Sequence, residues 1–288
     1  MQGVIQQLVS GIAMGFIYCL VAIEYTLIYN TSGLMNFGHD KYILFGAYVF
    51  GGLFMVALGS GSILGVIGTL LVAAGMGALI ATVGFNPIKK MPAIHAVTCT
   101  LALSMIVREG IRLIFGAAAF NVGGFLHGAI NIVGITISKT YIAIIIIAIF
   151  LLLAQTLLLK KTMIGTAMLA VSQDKEAAGL MGINVASILI ITTAISITIC
   201  GVIGVLIVPL YGCNLNMTAT LGTKGFVAGI IGGLGNLNGA IAGGLFLGLM
   251  EVLFLILGGS GIYKDFVSFV LIILFLLFRP QGILKNTL

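Results

Sequence analysis

Two stretches of this chain, Tyr42 to Ile88 and Ala177 to Thr223, contain no charged residue at all. Each is long enough for two bilayer crossings at about 20 residues per crossing, and neither can be one core helix of a soluble domain. Only 7% of the 288 residues are charged and 60% are apolar, against roughly a quarter charged in soluble domains. Lipid is therefore the solvent. A spanning backbone must satisfy its own hydrogen bonds, and unbroken runs such as Tyr141 to Leu159 have helical length, not the alternation of a barrel strand. The expected fold is all-α, a polytopic transmembrane helix bundle forming a single domain over residues 1–288.

Hydropathy places eight spans near Val4 to Tyr29, Tyr42 to Leu58, Ser62 to Phe85, His95 to Phe115, Thr140 to Leu159, Ala186 to Leu210, Gly239 to Gly258 and Asp265 to Phe278. The first lacks a basic leader and runs on past Leu27, so it reads as a retained span and not a cleaved signal peptide. The net charge of +6 collects at span ends, as orientation in a membrane requires, and implies no nucleic acid. Lys89 and Lys90, then Lys160, Lys161 and Lys175, then Arg279 and Lys285 all mark the cytoplasmic side. Three full spans after Lys175 would put Arg279 outside. The expected irregular crossing is Gly222 to Gly248, which holds ten glycines and reads as a short or broken helix in 222–238 before the span from Gly239.

Small-xxx-small pairs at Gly11/Gly15, Gly61/Gly65, Gly225/Gly229, Gly239/Gly243 and Gly244/Gly248 let helix backbones approach closely, either within one subunit or between two. Cys19, Cys99, Cys200 and Cys213 are widely spaced, form no C-x-x-C pair and read as small hydrophobes.

Lys160 to Val185 is the one polar segment long enough to hold a helix outside the lipid. Ser172 can cap such a helix, Asp174 and Glu176 favour its first turn, and Gly182 suits its end, giving about ten residues. Ala177, Ala178 and Met181 would share one small apolar face. That face could enter a groove on another protein, lie on the membrane or pack on its own subunit.

The run GTAMLAVSQDKEAAGLMGIN resembles the Glu-Ala-Ala loop of ABC importer permeases, specifically the branched-chain amino acid permease family. TLIYNTSGLMNFGHDKYILFGAYV resembles that family's G-x-x-N-F-A-H-G-E block, GTKGFVAGIIGGLGNLNGAIAGGLFLGLMEVL its glycine-rich late block, and LLFRPQGIL its closing R-P-x-G-(I/L). The resemblance implies a permease subunit, not an enzyme, in a bacterial or archaeal cytoplasmic membrane. Its implied partners are a second permease subunit, two cytoplasmic ATP-binding subunits and an extracytoplasmic substrate-binding protein, with lipid around it. It also implies that Gly165, Asp174, Glu176, Ala177, Ala178 and Gly182 belong to a cytoplasmic coupling loop. The chain has no Gly-Lys dipeptide and hence no phosphate-binding G-x-x-x-x-G-K-[ST] loop. No cofactor is expected in it, ATP being bound by partners.

Charges within spans are costly and so are candidates for function. Glu24 and Glu251 lie deepest, and pairing with a basic group would lower their cost; a structural hydrogen bond is the plainer reading of Glu251. Asn36, Phe37 and His39 occupy a break between spans whose backbone groups could meet a zwitterion. With Glu24 and Glu251 they are the candidate translocation pathway. Glu24 departs from the apolar residue usual in the family, and Asp40 and Lys41 from its Gly-Glu, where they can pair with each other. Arg108, Glu109 and Arg112 lie toward the end of the fourth span, the two arginines sharing a face, placed to snorkel to the outer interface or to serve an outer gate or the docking of the binding protein. Metal chemistry has no ligand cluster to support it.

Three readings compete. A permease of an ABC importer would carry branched-chain or other amino acids, urea or short amides, or sugars. An ATP-independent transporter would use Glu24 or Glu251 for ion coupling. An intramembrane enzyme would rest on His39 with Asp40, or His95 with Glu109, but lacks a nucleophile, base and orienter together.

Overall fold

The computed structural model describes residues 2–33, 35–59, 62–85, 93–123, 126, 128–132, 135–279 and 281–284. Lys89, Lys90, Lys285, Gly61 and Pro280 of the closing motif lie outside the described residues. The chain is helical nearly throughout: α1 (Gln2–Ser32), α2 (His39–Tyr48), α3 (Ser62–Ile80), α4 (Ala93–Phe115), α5 (Lys139–Lys161), α6 (Met163–Gln173), α7 (Lys175–Leu180), α8 (Val185–Tyr211), α9 (Ala219–Gly232), α10 (Leu237–Ile256) and α11 (Lys264–Phe278). Among the described residues, seven helices are long and apolar enough to cross a membrane, and they match seven of the expected spans. The eighth, α4, is equally long, but Arg108, Glu109 and Arg112 dilute its apolar character.

One departure from an all-helical chain is a small antiparallel hairpin, β1 (Ala129–Ile132) with β2 (Ile135–Ser138), in which Ile130 faces Ile137 and Asn131 faces Thr136. The alternation in AINI and ITIS is the period of a strand, but four residues per strand are too few to stand out beside the hydropathy of α5.

The chain divides into two compact units. One comprises residues 27–122 and 151–219 and is organised by α8, which packs on α2 and α3. Glycines set these contacts: a Cβ on Gly46 would lie 2.4 Å from the Cα of Gly201, one on Gly204 2.4 Å from the Ile43 carbonyl oxygen, and one on Gly77 2.6 Å from the Ala194 Cα. Beyond Tyr48, α2 widens into π-helical turns through Ala57, closed by Leu58 N–H to the Leu53 carbonyl at 2.9 Å.

The other unit comprises residues 1–26, 123–150 and 220–287. Here α9 and α10 form a tight hairpin: a Cβ on Gly243 would meet the Ala228 carbonyl oxygen at 2.1 Å, and one on Gly239 the Gly232 carbonyl oxygen at 2.4 Å. Along its other edge α10 meets α1, with Gly248 against Gly15 and Gly244 against Cys19. Gly225 and Gly229 of α9 face Val21 and Ala22. The small-residue pairs of this unit thus pack within the chain, while Gly65 of the remaining pair rests on Phe50.

The short helix expected in 222–238 is α9, begun three residues earlier and ended by the turn at Gly233 and Gly235, both at positive φ. It is an additional helix in the region between Lys175 and Arg279 where the charge tally asks for one more segment. At about 1.5 Å per residue its 14 residues reach roughly 21 Å, short of a hydrocarbon core of about 30 Å. The closing motif lies on the tip of the same hairpin, Ile283 donating to the Ile231 carbonyl at 2.8 Å and Leu284 to that of Gly232 at 3.1 Å.

Gly204→Val should lower the detergent melting stability by at least about 2 kcal/mol, because the obstacle is backbone and cannot rotate away. Gly75→Val, with nothing within 4 Å of its Cβ, should melt near the wild type, and equal melting of the two variants would contradict the close α2–α8 approach.

Candidate functional site: coupling segment, connection and buried charge cluster

The polar segment between α5 and α8 contains two helices, not one. Thr162 caps α6, accepting from Gly165 N–H at 3.1 Å and donating to the Leu158 carbonyl at 2.6 Å. Gly165 is needed there, since a Cβ would lie 2.3 Å from that carbonyl oxygen. Asp174 breaks the segment: its backbone is extended, and its carboxylate accepts from the N–H groups of Glu176 at 2.8 Å and Ala177 at 3.0 Å, so it caps α7. The expected cap, Ser172, instead ends α6, donating to the Leu169 carbonyl. It loses to Asp174 because the carboxylate answers two orphan N–H groups and sits at the positive helix end. As expected, Gly182 stops the helix, at φ +85°.

The expected common face of Ala177, Ala178 and Met181 is also corrected. Ala178 is buried with Met168, Val171 and Ile188, which seats α6 and α7 on the ends of α5 and α8. Ala177 turns outward beside Leu180 and Met181, the last two 89% and 84% exposed. Adjacent positions on a helix lie about 100° apart, so Ala177 and Ala178 divide the two duties. Glu176 stands exposed at the start of the outer face.

The connection between α1 and α2 lies in the same unit. Gly33, at φ +70°, donates to the Tyr29 carbonyl at 2.8 Å and ends α1. Asn36 and His39 are buried; Asn36 Oδ1 accepts from Gly38 N–H at 2.9 Å, and His39 Nδ1 lies 2.8 Å from the Asn36 carbonyl oxygen. His39 Nε2 is 3.4 Å from Ser196 Oγ on α8. Phe37 is half-buried. Asp40 and Lys41 pair at 2.6 Å, as their adjacency suggests. Backbone groups read as open to a zwitterion are thus partly engaged by the loop's own side chains. Lys175 Nζ donates to the Ser32 carbonyl at the end of α1, and its partial burial lowers the pKa of the ammonium.

Both deep carboxylates fall in the other unit. Glu24 is fully buried on α1. Glu251 is fully buried on α10 and gathers four donors: Lys224 Nζ at 2.7 Å and Ser268 Oγ at 2.7 Å on Oε1, Lys264 Nζ at 3.0 Å and Tyr18 OH at 3.1 Å on Oε2. Lys224 reaches Asp265 at 2.7 Å as well and lies 5.7 Å from the centre of the Tyr18 ring. Two acids and two bases therefore tie α1, α9, α10 and α11 together. Lys224 is the basic partner that burial of Glu251 calls for. The signal was present, since Lys224 is the only charged residue between Glu176 and Glu251.

Arg108 and Arg112 do share an acid, Glu109, at 3.3 and 2.8 Å, and Arg108 also donates to Asn216 Oδ1 at 3.1 Å; all are partly exposed. His95 and Glu109 stand fourteen positions apart on α4, about 21 Å along its axis, so they form no catalytic pair. Among the described residues no group of His, Cys, Asp and Glu could hold a metal ion. The cysteines are free, three of them buried and Cys99 exposed.

Lys224→Met should destabilise the protein by about 3 kcal/mol, because it leaves a buried carboxylate short of a cation. Adding Glu251→Gln should restore part of the loss in detergent thermal melting, and strictly additive losses would show that the two side chains do not act on each other.

The sequence places this architecture among known transporters. A family model described as branched-chain amino acid transport system / permease component matches residues 7–276. The chain is 32% identical over 297 residues to the high-affinity branched-chain amino acid transport system permease protein LivH of Escherichia coli, covering 97% of this chain and 95% of that one. It is 30% identical over 293 residues to BraD of Pseudomonas aeruginosa, a permease protein of the same description, with the same coverage. To the probable branched-chain amino acid transport permease protein LivH of Methanocaldococcus jannaschii it is 28% identical over 292 residues, covering 92% and 87%. No solved structure matches. With its eight long helices, its hairpin α9–α10 and a family match over nearly its whole length, the chain belongs to the branched-chain amino acid transport permease family.

Proposed function

We propose that this chain is the membrane-spanning permease of an ATP-driven importer that carries branched-chain amino acids across the cytoplasmic membrane, and that α6 and α7 form its docking site for a cytoplasmic ATPase. The observation that carries the docking assignment is the division of labour on α7. Ala178 anchors the helix to its own chain, whereas Leu180 and Met181 stand almost wholly exposed outside the spans. Large apolar side chains held outward on a rigid, anchored helix are the profile of an interface anchor. Glu176 supplies a charge at the rim, and Gly182 sets where the helix turns away.

The membership of the chain makes it a transport subunit and not an enzyme, and its partners are an ATPase and an extracytoplasmic binding protein. Two ATP-binding subunits and a second permease complete the assembly in this reading, with the chain acting as one transmembrane domain. Asn36, Phe37, His39, Glu24 and Glu251 remain the candidate pathway positions. The names of the relatives support leucine, isoleucine and valine as cargo.

Ion-coupled transport through Glu251 fits less well. A carboxylate that must bind and release a coupling ion needs a free coordination position, and this one is surrounded by two lysines and two hydroxyls.

Leu180→Asp with Met181→Asp should leave the permease folded while cutting capture of its co-expressed ATPase more than about tenfold, as expected for loss of interface anchors. Undiminished capture would overturn the docking assignment. In proteoliposomes, uptake of radiolabelled leucine should require ATP and the ATPase, and uptake driven by an ion gradient in their absence would overturn the importer reading.

A further inference from the structure

Lys175 is the first residue of α7, beside the Asp174 cap, and its side chain leaves the coupling segment altogether. Its ammonium donates to the carbonyl of Ser32, the last residue of α1. A helix end presents carbonyls without intrahelical partners and the negative end of the dipole, so a lysine there is held by charge as well as by a hydrogen bond. Gly33 ends α1 beside it, at φ +70°. The residue as a whole is exposed, and partial desolvation of the ammonium lowers its pKa.

The contact closes a ring. From Lys175 it passes to the end of α1, through the connection to the buried Asn36 and His39, across the 3.4 Å contact to Ser196 on α8, and down α8 to its cap. There Asn184 Oδ1 accepts from Ser187 N–H, and the chain returns to α7 through Ile183, which donates to the Ala178 carbonyl at 3.0 Å. Every member belongs to one compact unit.

We infer that Lys175 is a transmission residue: it ties the ATPase-docked helix α7 to the end of α1, so that displacement of α7 moves the Gly33 to His39 connection together with α8. The inference rests on the docking role proposed for α7, but it assigns Lys175 to motion and not to docking. Its ammonium is turned to α1, and the outward face of α7 is made by Ala177, Leu180 and Met181. With the tie cut, α7 still carries its partner and ATP is still hydrolysed, but the connection no longer follows.

The test compares Lys175→Met, which keeps the stem and removes the charge, with Lys175→Arg, which keeps a charged donor. Each is purified with its second permease, ATPase and binding protein and reconstituted in liposomes, and leucine uptake and ATP hydrolysis are measured on the same preparation. Lys175→Met should capture the ATPase as the wild type does, while leucine moved per ATP falls about five- to tenfold, the scale of one lost link in a coupled network. Lys175→Arg should restore at least half of the wild-type ratio. An unchanged ratio in Lys175→Met, loss of ATPase capture by that variant, or a Lys175→Arg ratio as low as that of Lys175→Met would each overturn the assignment. A wild-type complex that shows no ATP-dependent leucine uptake counts against the importer reading instead, and is scored before the variants are compared.

Discussion

A carboxylate without partners in hydrocarbon is too costly to keep, and this constraint shapes the unit that contains Glu251. Its oxygens can be answered only by groups the protein brings to them. They come from three helices: Tyr18 from α1, Lys224 from α9, and Lys264 and Ser268 from α11. The glycines let the backbones approach closely enough for such short side-chain reach, and the charges then fix which faces meet. Neither device would suffice alone. Glycine contacts are nearly featureless along a helix, while a buried ion pair contributes little net stability but penalises every arrangement in which one partner is missing.

The second unit is specified differently. Its α2, α3 and α8 meet through close backbone approaches at Gly46, Gly77, Gly201 and Gly204, and its charged groups lie at the α1–α2 connection, on α4 and around the segment of α6 and α7.

The spans were legible in the sequence because hydropathy needs no partner: Tyr141 to Leu159 announces α5 whatever surrounds it. Asp174 was legible as part of a helix start but not as the cap, since Ser172 and Asp174 both suit that place and only the bonded geometry of Glu176 and Ala177 N–H separates them. Ala177 and Ala178 are chemically identical neighbours, and which one faces inward depends on Met168 and Ile188, residues on other helices. Lys224 was hidden for a different reason. Within a block of glycines it resembles loop chemistry, and its meaning emerges only when Glu251 stands beside it. The family resemblance supplied the architecture and the direction of the coupling segment, whereas the reach of Lys175 to Ser32 is invisible in any linear motif.

The closing residues carry an implication for the order of assembly. Ile283 and Leu284 bond to the carbonyls of Ile231 and Gly232, which the ribosome has made long before. Until residues 281–284 emerge, the end of α9 has open acceptors and the α9–α10 hairpin lacks its clasp. The clasp of the hairpin can therefore form only after α11 and the closing residues have been made, which makes it one of the last contacts of this unit to be completed.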